Sequence, residues 1–142
     1  MENQTAPTKI TVETTVNAPV QKVWDFWTNP SHVTQWNQAS DDWHTTKATN
    51  DLRVGGKFTS RMEAKDGSFG FDFEGEYDTV ETHQSIAYKM TDGRKVNITF
   101  TDLGHSTQVS ETFDAETENP VEMQEAGWQA IMNNFKTYTE SN

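Results

Sequence analysis

The chain contains no cysteine. That removes disulfides, thiolate metal sites and thiol nucleophiles from consideration. No stretch approaches the roughly 18 consecutive apolar residues of a membrane-crossing helix. The segment Met1–Lys9 is polar and lacks the apolar core of a signal peptide. A cytoplasmic protein without a membrane span is therefore expected. Basic residues are few: 11 Lys and Arg stand against 22 Asp and Glu, for a net charge of −11. They are scattered singly or in pairs, so the basic stripe that holds a phosphate backbone is missing, and no nucleic-acid partner is expected. None of the four histidines, His32, His44, His83 and His105, is spaced i, i+4 from another or sits in an HExxH arrangement. The phosphate-binding glycine patterns and the GxSxG nucleophile elbow are also absent. No metal, cofactor or catalytic residue is assigned on these grounds.

What the chain does have is large apolar side chains. Only 32% of its 142 residues are hydrophobic, but they include eight Phe, five Trp, three Tyr and five Met. A few such residues bury much area, which argues for a packed domain rather than disorder. The length suits one domain, taken as residues 9–140 after a flexible tail at 1–8.

The hydrophobic period changes in an informative order. Ile10, Val12 and Val16 alternate with polar residues, with Thr14 on the same side, which predicts a strand with one buried face. Val20, Val23, Trp24 and Trp27 follow at i, i+3, i+4, i+7, the stripe of a short helix opened by Pro19. Asn29-Pro30 starts a second short helix that carries Val33 and Trp36. Strands are then predicted over Trp43–Asn50 and over 57–65, the latter with Phe58, Ser60, Met62 and Ala64 on one face. Gly55-Gly56 reads as a tight turn between them and Asp66-Gly67 as a hairpin. Phe69, Phe71, Phe73, Gly75 and Tyr77 alternate with Gly70, Asp72, Glu74, Glu76 and Asp78, so one face is dry and the other wet. Ile86-Tyr88-Met90, Val96-Ile98-Phe100 and Thr107-Val109-Glu111-Phe113 supply three more strands, separated by turns at Asp92-Gly93 and Leu103-Gly104. Such punctuation fits an antiparallel meander. A long helix is expected from Asn119-Pro120 to about Thr139, with Asn119 as its cap and Glu122 reaching back in a capping box. Its stripe is Trp128, Ile131, Phe135 and Tyr138. About 20 residues at about 1.5 Å each make a helix of roughly 30 Å, long enough to cross the sheet. The fold class is α+β.

The order of these elements resembles the helix-grip, START-like (SRPBCC) superfamily, and within it the family named for the activator of the Hsp90 ATPase. Ala18-Pro19 with Val23-Trp24, Asn29-Pro30 with Trp36, the stretch Asp51-Leu52-Arg53-Val54-Gly55-Gly56-Lys57-Phe58, then Met62, Gly67, Gly75 and Gly127-Trp128 carry the likeness. The resemblance implies a six- to seven-stranded curved sheet gripped by the last helix, often with a cavity between them for lipids, polyketides or other aromatic compounds. The family name also implies a chaperone-associated interaction domain, a role tied to stress response. Related folds include cyclases and hydrolases.

The expected function is non-catalytic binding of a small apolar or aromatic ligand, with no protein partner assigned. Candidate ligand-binding residues are Trp36, His44, Phe58, Met62, Phe71, Phe73, Tyr88, Phe100, Glu111, Trp128, Ile131 and Phe135. Trp24 belongs to the same aromatic set. Glu111 stands out because it falls on an inward face, where a carboxylate needs a partner or a proton. It reads as exposed at a strand end, as half of a simple ion pair, or as a polar handle for the ligand with Arg53, Arg61 or His44 as candidate partners. An enzyme of the cyclase or hydrolase kind would have to use Glu111 and His44. Asp41-Asp42 and the Asp72, Glu74, Glu76 set read as solvated surface. His83 and His105, near turns, are expected in solvent.

Overall fold

The computed structural model describes residues 8–142. The tail expected at 1–8 lies, but for Thr8, outside the described residues. β1 (Lys9–Val16) leads into α1 (Val20–Thr28) and α2 (Pro30–Trp36). Six strands follow: β2 (Trp43–Asn50), β3 (Lys57–Ala64), β4 (Gly70–Glu81), β5 (Ser85–Met90), β6 (Lys95–Asp102) and β7 (Thr107–Asp114). The chain ends on α3 (Val121–Ser141). The seven strands form one antiparallel sheet in the order β1-β7-β6-β5-β4-β3-β2, curled into a half-barrel. The two short helices therefore carry the chain from one sheet edge to the other.

Local chemistry explains the elements. The Asn29 side chain accepts a hydrogen bond from the Ser31 N–H at 3.1 Å, and Pro30 opens α2, as the Asn-Pro step predicts. Gly55 sits at φ +83°, a conformation open to glycine, while a side chain on Gly56 would run into the Asp51 carbonyl. Register shifts at Thr45/Lys47 and Tyr77/Thr79 add a residue on one side of the β2–β3 and β4–β5 ladders. Such bulges bend and twist a sheet.

The start of α3 departs from expectation. Pro120, not Asn119, is the flanking residue, and no side chain caps the helix. Asn119 instead gives its side-chain N–H to Glu116, whose carboxylate also accepts the Glu118 and Asn119 backbone N–H groups. Gln124 completes the turn: its amide donates to the Glu116 and Asn119 carbonyls and accepts from the Glu116 N–H. A buried glutamine thus takes the role assigned to a capping box.

The helix also rotates relative to its predicted stripe. Met132, Phe135 and Thr139 are fully buried, whereas Trp128, Ile131 and Tyr138 are half-buried. The backbone of α3 comes near the sheet chiefly along β1 and touches α1 and α2. Lys136 and Gln129 donate to the Thr15 and Glu13 carbonyls, and Glu140 accepts from the Asn17 N–H, which fastens the helix to that edge. Fully buried side chains gather here: Val12, Val109, Phe113, Met132 and Phe135. Over β3, β4 and β5 the helix meets the sheet through side chains, as where Trp128 approaches Phe73, and a cavity opens between them.

Gly75 helps shape that space. A methyl at its Cα would sit 2.5 Å from the Phe58 ring and 2.8 Å from Tyr88, which meet edge to face at 4.7 Å. Gly75→Ala is expected to cost about 1–3 kcal/mol through overpacking, read by urea unfolding. Wild-type stability would mean that the Phe58 ring swings aside without strain.

Candidate ligand-binding cavity

Between the sheet, α2 and α3 lies a cavity of about 460 Å3. That volume falls in the range of small-molecule sites. Its walls are mainly aromatic: Trp27 and Trp36 from the short helices, Phe58, Phe71, Phe73, Tyr77 and Tyr88 from β3–β5, and Trp128 from α3. The rings brace one another. Trp128 stacks on Phe113 at 3.8 Å and meets Phe73 at 6.3 Å. Trp27 lies 5.0 Å from Trp36. The opening lies where lining side chains are also exposed, at Phe71 (42%) and Met123 (61%). Phe69, predicted on the dry face, lies just outside β4 and is 62% exposed beside Trp43 and Phe71.

Most polar groups in the wall are satisfied by the protein itself. The Tyr77 hydroxyl donates to Asn50 at 2.6 Å, and the Asn50 amide donates to the Thr28 carbonyl at 2.6 Å. The Trp36 indole N–H donates to the Phe26 carbonyl. Arg94 is held by Asp92 at 2.7 Å.

Glu111 differs. It is buried (7% exposed), and its neighbours in register are Val12 on β1 and Ile98 on β6. Among the described residues no hydrogen bond or cation reaches its carboxyl, and burial alone pushes it up to about 8. Among the described residues Glu111 is thus neither exposed at a strand end nor ion-paired, and its candidate partners are engaged elsewhere or turned away. Arg53 pairs with Asp51, and Arg61 with Glu63 and Asp72. The Tyr88 hydroxyl likewise has no partner; burial, then the nearby Glu111 and Tyr77, push it well above the ordinary tyrosine value.

Nine of the twelve sequence candidates line the cavity: Trp36, Phe58, Met62, Phe71, Phe73, Tyr88, Glu111, Trp128 and Ile131. Three do not. His44 precedes the inward Thr45 and therefore points to the outer face of β2. The Glu111–His44 acid/base pair is thus not assembled. Phe100 packs under α1 against Trp24 and Trp27, and Trp24 itself lies in that core rather than in the cavity wall. Phe135 sits behind the wall, 4.9 Å from both Trp27 and Trp36. His83 is half-buried at φ +64° with its ring against Trp24, not in solvent. Trp27, Tyr77 and Ser60 line the cavity and were visible only as stripe positions; Arg94, just past a turn, carried no periodic signal. Among the described residues no group of three or more His, Asp or Glu side chains could hold a metal ion, and no helix is long and apolar enough to cross a membrane.

A half-barrel gripped by a C-terminal helix, with an aromatic cavity between them, defines the helix-grip architecture of the SRPBCC superfamily. Residues 17–140 match the family model described as Activator of Hsp90 ATPase homolog 1-like protein, and the chain belongs to that family. The AHSA1-like protein of Aeromonas hydrophila is 46% identical, with 94% of this chain and 93% of that one covered and a TM-score of 0.88. A protein of Cytophaga hutchinsonii is 55% identical over 94% and 93% of the two chains, with a TM-score of 0.82. A protein of Nitrosomonas europaea shares the fold at 17% identity, with 94% of each chain covered and a TM-score of 0.80. Among curated proteins, none matches the chain in sequence.

Proposed function

We propose that this protein is a non-catalytic binding module for a small apolar or aromatic molecule, lipid-like or polyketide-like, held between the sheet and α3. The supporting observation is the 460 Å3 cavity itself, open at Phe71 and Met123 and walled by aromatic side chains. A closed core would have favoured a surface role in chaperone assembly. Burying apolar ligand area against such walls contributes about 25 cal/mol per Å2.

NMR shift mapping against a panel of fatty acids, sterols and aromatic metabolites tests the reading. Binding should move the Trp128 indole and Ile131 methyl signals. Ala48→Trp, which fills the cavity from the outermost strand β2, should weaken binding about tenfold or more while far-UV circular dichroism stays unchanged. A panel that leaves Trp128 and Ile131 unmoved would sink the proposal.

A further inference from the structure

Resting on that reading, we propose that Glu111 and Tyr88 form the polar pole of the cavity and take the acceptor oxygen, a carbonyl or ether, of a neutral apolar ligand.

The argument starts from register. Glu111 stands in an inner row with Val12, Ile98 and Ile86, and Tyr88 stands one row over with Val96 and Tyr77. Among the described residues Glu111 is the one carboxyl buried on the concave face; the other buried carboxylate, Asp114, points outward to Lys9 and the Lys95 N–H. Every element around Glu111 withholds a positive partner. β1 presents Val12; β6 presents Ile98; β4 and β5 present Tyr77 and Tyr88. From α3, Gln124 is spent on the preceding turn, and Trp128 and Ile131 are uncharged. Among the described residues Arg94 is the one lining cation, engaged by Asp92, and Glu116, the other lining carboxylate, is engaged by Asn119.

A carboxyl so placed is a neutral acid, because ionisation in an apolar wall without a partner is costly. A neutral acid carries a proton to donate, and a tyrosine hydroxyl carries another. Two unpaired donors on neighbouring inner rows, one of them an acid, match an acceptor oxygen on the guest. An ammonium head would first require ionising Glu111, and a carboxylate head would face a chain of net charge −11.

Calorimetric titration with three probes of one shape tests this: 2-acetylnaphthalene, 2-isopropylnaphthalene and 1-(2-naphthyl)ethylamine. The ketone should bind about tenfold tighter than the hydrocarbon, the worth of one or two hydrogen bonds. Binding that requires the protonated acid should weaken about thirtyfold from near pH 6.5 to near pH 9.5. Glu111→Gln, whose amide N–H still donates, should keep the preference for the ketone and lose the pH dependence. Tyr88→Phe should reduce the preference and keep the pH dependence. Equal binding of ketone and hydrocarbon overturns the inference and leaves the binding module standing. Tightest binding by the amine, strengthening from pH 6.5 toward 8, overturns it in favour of an ionised Glu111. Failure of all three probes to bind overturns the inference together with the reading beneath it.

Discussion

Glu111→Gln should make the protein more stable, and increasingly so as pH rises from about 4.5 to about 8. The carboxyl titrates near 4.5 in the unfolded chain and near 8 in the fold. Below both values it is protonated in both states and imposes no penalty. As pH rises, the unfolded chain gains the ionised form first, and the folded state is progressively disfavoured. Stability present at pH 4.5 is therefore lost as pH climbs through about 8. The lost amount is about 3 kcal/mol at neutral pH on the order-of-magnitude scale of 1.4 kcal/mol per unit. Glutamine stays neutral throughout and leaves a comparable unpaired polar group. The variant should melt on the order of 5–10 °C above wild type near neutral pH and close to it near pH 4.5. Thermal unfolding at three pH values checks this. A constant difference across pH, or a variant less stable near pH 8, would contradict the apolar setting of Glu111. A residue that destabilises its own fold fits a site kept for binding rather than for structure.

Phe135→Ala should have the largest destabilising effect, about 3–5 kcal/mol. The ring is fully buried and lies edge to face with Trp27 and Trp36, so one side chain joins α1, α2 and α3. Its loss leaves a void where the surroundings cannot collapse without moving two indoles. Those indoles form part of the cavity wall, so near-UV circular dichroism and ligand affinity should fall together. Ile131→Ala is the control. Ile131 is half-buried and already borders open space, so its loss should cost only about 1 kcal/mol. Equal costs for the two variants in urea unfolding would mean that the boundary between core and cavity is misplaced.

Much of this was legible in the chain. The alternation through Phe71, Phe73, Gly75 and Tyr77, and through Thr107, Val109, Glu111 and Phe113, marks inner faces correctly because side-chain direction in a strand is a property of covalent geometry. The same reasoning placed Glu111 inside. It misplaced His44, whose position one residue before Thr45 turns it outward. It named Phe100 and Phe135 for the cavity because it cannot tell a ring in the wall from a ring behind the wall. It also expected a capping box at Asn119, where Gln124, five residues further on in the same helix, does the work.

Periodicity and turn chemistry by themselves determined the succession of strands, the three helices and the faces that the strands bury, since these depend on neighbours within a few residues. Whether facing layers touch depends on where α3 is fastened. The hydrogen bonds of Gln129, Lys136 and Glu140 to the β1 edge hold its backbone over one half of the sheet. Tertiary structure alone decided that the other half stays open, because the distance between two layers is set by long-range contacts that no local pattern encodes. The same distance leaves Glu111 without a partner and turns an inward-facing carboxyl into the pole of a cavity.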